Sequence, residues 1–345
     1  MILVLNCGSQ SIKWKLFDKD LALVAKGERS VREQKKYLLI LRQELGEVGQ
    51  RGERIEIIGH RVVHGGNYKK PMRITENVLK RLAAYDELAP LHQPFNLLGI
   101  RVAREIFPEA EQFSVFDTSF FRQLPLVAKT YPLPENLRKK YSFRRFGFHG
   151  ISHEYVAKEA AKKIKRPLSR LKIITCHLGG GASLAAIKNG KAIDVSMGFT
   201  PLEGLMMMTR CGNLDAGLTL FLMKKEKMDS EQMSHLLNEE SGLKGICGQG
   251  EMLKVLAAIK KGDKKAKLAL EMFIYSLQKY IGAYFAILGG CDVLIFTGAI
   301  GAGSEKIREM VFQDLSILKE TTILAVKTDE ELAIARKIFP RLNKK

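Results

Sequence analysis

Two stretches of the chain carry one pattern: Ile2–Phe17 (ILVLNCGSQSIKWKLF) and Ile173–Ile187 (IITCHLGGGASLAAI). Each reads as an apolar strand, a tight turn of small residues and a returning strand. Glycine lets the backbone turn sharply and lets a ligand approach its amides. Amides displayed this way attract phosphate. Either hairpin alone is compatible with ordinary β-structure. Written twice, near the start of each half, the pattern predicts a duplicated fold that holds a polyphosphate between its halves.

The 345 residues suffice for two or three cores of ordinary domain size. With 46% hydrophobic and 27% charged residues the composition is that of a globular protein. Met1–Leu5 reads as a strand, not a leader peptide. Cys7, Cys176, Cys211, Cys247 and Cys291 are widely spaced and form no Cys-x-x-Cys pair. That spacing fits a reducing, cytoplasmic setting and argues against a disulfide framework or structural zinc. His60 and His64, and likewise His149 and His153, stand four apart, but Gly150 weakens a helix at the second pair and neither has the His-Glu-x-x-His form. Ile281 to Gly303 carries Asp292 as its one charge, yet its glycines break it into a buried helix and a strand, so no membrane span is expected. The net charge of +19 comes from scattered basic doublets without interleaved aromatics. It predicts a solvated basic surface that speeds encounter with anions, not nucleic-acid binding.

Hairpins mixed with crossover helices indicate an α/β fold. Helices are expected over 31–48, 77–86, 94–106, 152–164, 215–223, 229–239, 251–261, 264–288 and 330–338, and strands over 55–58, 113–116 and 293–296. Arg61 follows a strand in a loop rich in His and Gly, and Arg210 lies in Met208–Gly212. A guanidinium grips carboxylate or phosphate through two parallel hydrogen bonds. Two converging arginines could hold a carboxylate and a migrating phosphoryl group; an arginine alone is more often a surface residue or a salt-bridge partner. Asp117 directly follows a buried strand, where an acid either holds Mg²⁺ or orients a nucleophile, or else caps a helix. His149, bracketed by Gly147 and Gly150, is expected on an exposed turn as a proton donor or charge neutraliser. Thr297 to Ser304 is a third glycine-rich turn, able to cradle phosphates or ribose, though no Walker lysine follows.

These segments, in this order, resemble the acetate kinases of the actin, sugar-kinase and heat-shock ATPase superfamily. The resemblance rests on Asn6–Lys13, Gly59–Gly66, Ala89–His92, Phe116–Thr118, Arg145–Gly150, Cys176–Gly179, Ser196–Gly212, Tyr280–Tyr284, Phe296–Gly298 and Thr328–Glu331, and so spans nearly the whole chain. It implies a duplicated actin-like (ribonuclease-H-like) fold of two domains around a cleft: residues 1–119 with 332–345 on the acyl-substrate side, and 120–331 for nucleotide binding and dimerisation. It implies reversible transfer of the ATP γ-phosphoryl group to acetate, giving acetyl phosphate and ADP, with propionate or butyrate as alternative acceptors. By position, Arg61, Asp117, His149 and Arg210 would be catalytic. Val63, Leu91, Phe148 and Pro201, with Arg61, would take the acid. Ser11, Lys13, His177, Gly179, Gly180, Gly181, Gly298, Ala299, Ile300 and Gly301 would take the nucleotide. Asn6 and Glu330 would hold Mg²⁺ or Mn²⁺. A homodimer is implied as well. The sequence departs from the family pattern at Gly180, Phe121, Gln249–Lys254, Ala299, Ala302 and Gly303, on the nucleoside side. Those departures keep a pyrophosphate-dependent variant and a catalytically silent nucleotide-binding relative as alternatives.

Overall fold

The computed structural model describes residues 1–31 and 33–342. The chain divides into two compact units: Met1–Arg122 with Phe148–Tyr155 and Asp329–Lys345, and Gln123–Gly147 with Val156–Thr328.

The first unit is built on a six-stranded sheet. In chain order its strands are β1 (Ile2–Gly8), β2 (Ser11–Phe17), β3 (Leu23–Ser30), β4 (Ile57–Val62), β5 (Met72–Arg73) and β6 (Glu111–Phe116), and in space they run β3-β2-β1-β4-β6-β5. The β1–β2 hairpin is antiparallel with Gly8 opposite Ser11, whereas β1, β4 and β6 are parallel neighbours. A parallel core is covered on both faces, which is why β1 is apolar without interruption from Ile2 to Leu5. Leu3, Leu5 and Cys7 pack toward Leu41, Leu45 and Val48 of helix Tyr37–Gln50 and Val102 and Ala103 of helix Gln93–Ile106. Ile2 and Val4, on the other face, pack toward Ile334, Ala335 and Ile338 of helix Glu330–Leu342. That helix comes close enough that a Cβ on Gly59 would lie 2.6 Å from Ile334 Cγ2, so glycine is required there.

The second unit repeats the plan. Its strands are β7 (Lys172–Leu178), β8 (Ala182–Lys188), β9 (Lys191–Val195), β10 (Val293–Thr297) and β11 (Thr322–Ala325), in the order β11-β10-β7-β8-β9. The β7-β8-β9 meander is antiparallel, and β7, β10 and β11 are parallel. This is the arrangement of β3-β2-β1-β4-β6, with β5 an added edge strand in the first sheet. Helix Lys264–Leu288 packs on β7 and β8, and its buried residues include Ala266, Leu270, Phe273, Leu277, Ile281 and Tyr284. Asp263 caps its first turn through the Lys265 and Ala266 amides, and Gly289 ends it in the left-handed region (φ 65°). Among the described residues no helix is long and apolar enough to cross a membrane.

Several boundaries differ from the sequence reading. The helix expected from residue 31 begins at Tyr37, behind a 3₁₀ turn Gln34–Lys36. Residue 32 of that expectation, and residues 343–345 of the expected first domain, lie outside the described residues. The strand expected over 55–58 runs Ile57–Val62, which puts Arg61 inside β4 and not in a following loop. The third glycine-rich turn is itself a short helix, Gly298–Gly303. The β8–β9 hairpin turns at Asn189 and Gly190, both with positive φ, an Asn-Gly signal the sequence reading passed over.

His60, in β4, is buried and bonds Gln112 at 2.8 Å. Burial pushes its pKa down from 6.5 to about 4, against the Gln112 bond. The folded state therefore favours the neutral ring. The stability this contributes is complete above about pH 6.5 and is lost as pH falls toward 4. Urea titrations followed by Trp14, the chain's one tryptophan, should show a steeper loss between pH 7 and 4.5 in wild type than in His60→Gln.

Candidate active site

The carboxyl ends of parallel strands are where α/β sheets present ligand-binding groups. In the first unit Asn6 near the end of β1, Arg61 in β4 and Asp117 just past β6 meet there. Arg61 donates through Nη2 to Asp117 Oδ2 at 2.8 Å and through Nε to Oδ1 at 3.4 Å, a forked grip. Its Nη1 lies 2.9 Å from Glu330 Oε2 and donates to Asn6 Oδ1 at 3.3 Å. Asn6 Nδ2 in turn donates to Glu331 Oε1 at 3.2 Å and Glu330 Oε2 at 3.5 Å. Glu330 and Glu331 open helix Glu330–Leu342, where the helix dipole favours acids, and Asp329 caps it through the Leu332 amide at 2.8 Å. The alternative of Asp117 as a helix cap is corrected: the 3₁₀ turn Asp117–Phe121 has no side-chain cap, and the carboxylate serves Arg61.

Burial would lower the Arg61 pKa, but the Asp117 and Glu330 carboxylates outweigh it and raise it. The same crowding acts on Glu330. Burial first, then Asp117 and Glu331, push its carboxyl up to about 7 against the pull of Arg61. Three carboxylates therefore surround one guanidinium, an excess of negative charge that a hard cation would relieve. Among the described residues no three His, Cys, Asp or Glu side chains form a metal cage of their own. Mg²⁺ is commonly held by one or two carboxylates together with substrate phosphates. The oxygen donors present fit such an ion.

His149 is half-buried, not on an exposed turn, and takes φ 57° after Gly147 at φ 72°. A non-glycine residue in the left-handed region persists only where its surroundings impose it. Here Gly150 packs so closely on the Asp117 carbonyl oxygen that no Cβ fits, so the backbone that carries His149 rests directly on the end of β6. Lys13 lies opposite Asn6 across the hairpin and pairs with Glu28 at 2.8 Å. Ser11, half-buried, faces Gly8 across the turn. Lys15, which sequence reasoning missed, reaches Asp329 at 2.7 Å and Glu331 at 3.6 Å. Its two-residue spacing from Lys13 on a strand was the available signal. Val63 and Phe148 are buried and Leu91 half-buried. The Val63 amide donates to Asn96 Oδ1 at 2.9 Å. Phe148 packs on His64, which stacks on Tyr85 at 4.3 Å, another pairing the sequence did not disclose.

In the second unit the parallel pairing of β10 with β7 sets Thr297 opposite His177. The β7–β8 turn, Gly179, Gly180 and Gly181, thereby lies beside Gly298, Ala299, Ile300 and Gly301. Gly298 (φ 79°) packs on the Leu178 carbonyl with no room for a side chain, and Gly301 lies against the Cys176 carbonyl. The Gly179 amide donates to the Gly181 carbonyl at 2.9 Å, and Gly180 is exposed. Elsewhere in this unit Arg210 and Pro201 share the buried segment Ser196–Gly212. Burial pushes the Arg210 pKa down to about 10, opposed by Glu239, so it stays charged at neutral pH.

Residues 26–338 match the pattern of the Acetokinase family. The chain is 42% identical to the acetate kinase of Halothermothrix orenii, over 97% of this chain and 98% of that protein. Among solved structures it is similar to Porphyromonas gingivalis acetate kinase (TM-score 0.89, 35% identity, 99% of each chain). It is similar also to a propionate kinase from Francisella tularensis (TM-score 0.89, 34% identity, 97% of this chain and 98% of that one). The two matching sheets are the duplicated fold of the actin-like ATPases, and the chain belongs to the acetokinase family, phosphotransferases whose acceptor is a carboxyl group.

Proposed function

We propose that the chain transfers the γ-phosphoryl group of ATP to acetate, reversibly, giving acetyl phosphate and ADP. The observation that carries this reading is Arg61, half-buried and gripped by Asp117, Glu330 and Asn6 in a member of this family. A carboxylate is already a nucleophile, so no base is needed. One carboxylate oxygen bonds to the γ-phosphorus as the bond to the β–γ bridging oxygen breaks, and ADP leaves with that electron pair. The work left to the protein is alignment and charge neutralisation. In this reading Arg61 fixes the acceptor carboxylate, Arg210 meets the moving phosphoryl group, and His149 donates to its equatorial oxygens. Val63, Leu91, Phe148 and Pro201 wall the acyl tail. The glycine turns at Gly179–Gly181 and Gly298–Gly301, with His177, Ser11 and Lys13, receive the nucleotide's phosphates. Asn6 and Glu330, with Asp117, would hold Mg²⁺, which when bound neutralises phosphate charge.

A second acceptor, propionate, is favoured by the equal likeness to the Francisella enzyme, because one methylene changes binding by only ~1–3 kcal/mol. A homodimer is proposed too: helix Ala216–Lys225 buries none of its residues and leaves Leu218, Leu220 and Phe221 exposed. All five cysteines are free, in keeping with a cytoplasmic setting.

Coupled assays with acetate, propionate and butyrate against ATP and pyrophosphate should give turnover with ATP and the two shorter acids. Nucleotide binding without turnover would sink the enzyme reading in favour of a silent relative. Arg61→Ala and Arg210→Ala should each lower kcat/KM for the acid roughly 10²–10³-fold. Intact turnover in either would remove that residue from the mechanism. Glu330→Gln should weaken Mn²⁺ binding, read by electron paramagnetic resonance in the presence of ADP, at least roughly tenfold through the loss of one carboxylate ligand.

A further inference from the structure

Outside the groups already assigned, the second unit joins Tyr131, Arg145 and Glu203 in one polar cluster. The Glu203 carboxylate accepts from Arg145 Nη2 at 2.6 Å and from the Tyr131 hydroxyl in a short hydrogen bond. The Tyr131 oxygen accepts the Phe199 amide at 2.7 Å. Arg145 also donates through Nη1 to the Val195 and Ser196 carbonyls, both at 3.3 Å, and through Nε to the Ala128 carbonyl at 3.2 Å. Beside it the Phe146 and Gly147 amides donate to the Gly198 carbonyl at 3.0 and 3.2 Å. A Cβ on Gly198 would meet the Glu203 carboxylate and the Tyr131 hydroxyl, so a side chain there would displace the cluster.

All these bonds but the one to Ala128 converge on one stretch of chain. Val195, Ser196, Gly198, Phe199 and Glu203 are each held, and Pro201 lies between the last two. The segment then closes on itself: Gly204 and Asn213 exchange two bonds of 2.9 Å, and the Met207 amide donates to the Arg210 carbonyl at 3.0 Å. Fixing four points of a loop with the Tyr131 and Arg145 side chains, and a fifth, Gly198, with two backbone amides, is costly unless the loop must hold one geometry. The planar fork of arginine, which here serves three carbonyls and a carboxylate, is a shape lysine cannot reproduce.

We propose that Tyr131, Arg145 and Glu203 are positioning residues that set the Pro201–Arg210 segment against the acid substrate. The inference rests on the phosphotransferase reading above. None of the three needs to touch substrate: they act through Pro201, a wall for the acyl tail, and through Arg210, a charge for the phosphoryl group.

The test is steady-state kinetics of Glu203→Gln, Tyr131→Phe and their double variant, with acetate and with propionate against ATP and Mg²⁺. Misplacement of this segment should lower kcat roughly 10–100-fold and raise KM for the acids several-fold, while KM for ATP stays within about twofold. The acetate-to-propionate ratio should shift, and the double variant should be no worse than the more impaired single one. Mere loss of folded protein lowers kcat but leaves every KM and the acid ratio unchanged. That result, or unimpaired turnover, overturns the clamp. If Glu203→Gln does not fold, Tyr131→Phe, which keeps the ring, carries the test by the same readouts. A wild-type chain that turns over neither acid overturns the function itself, a failure distinguishable from that of the clamp alone.

Discussion

A guanidinium taken out of water must be answered by anions, and in this protein the answer organises the first unit. Arg61 sits inside β4 with Asp117 at the end of the next strand and Glu330 at the start of the covering helix. Its charge is met by partners from three separate elements: β1, the end of β6 and the covering helix. The cluster is therefore a constraint on the fold as well as a site. Helix Glu330–Leu342 must start where Glu330 can reach Arg61, and Gly59 must be bare so that the helix can lie close enough to the sheet. Asn6 ties the same group to the β1–β2 hairpin, so the glycine turn and the guanidinium are held in fixed relation.

The chemistry follows from how the charges are balanced. Asp117, Glu330 and Glu331 outnumber Arg61, and Lys15 stands at the edge against Asp329 and Glu331. A set of oxygens with surplus negative charge suits a divalent ion, while a fixed guanidinium suits a carboxylate. Phosphoryl transfer to a carboxylate calls for both and for little else. Arg210, in the second unit, stays charged despite burial, which fits a group meant to meet an anion.

Much of this was legible in the sequence because its signals are local. The two hairpins announce themselves through apolar runs broken by Gly8 and by Gly179–Gly181. Asp117 stands out because it directly follows a buried strand. What stayed hidden depends on distant partners. Arg61 read as a loop residue because Gly59 and His60 interrupt the apolar run. In the fold Gly59 lies under Ile334 and His60 is satisfied by Gln112, so the strand continues. Gly298–Gly303 read as a turn, yet its packing on Leu178 and Cys176 supports a short helix. Glu331 and the Tyr131–Arg145–Glu203 cluster are joined to their partners across long stretches of chain, and no spacing in one sequence could pair them.

The most direct test of the central claim, that Arg61 is preset by Asp117 to receive the acid, is a double-mutant cycle on kcat/KM for acetate. It compares Arg61→Lys, Asp117→Asn and the two together. If the pair acts as one unit, the losses are strongly non-additive and the double variant is about as impaired as the worse single one. Losses that simply add would show that Arg61 and Asp117 work independently and would contradict the account.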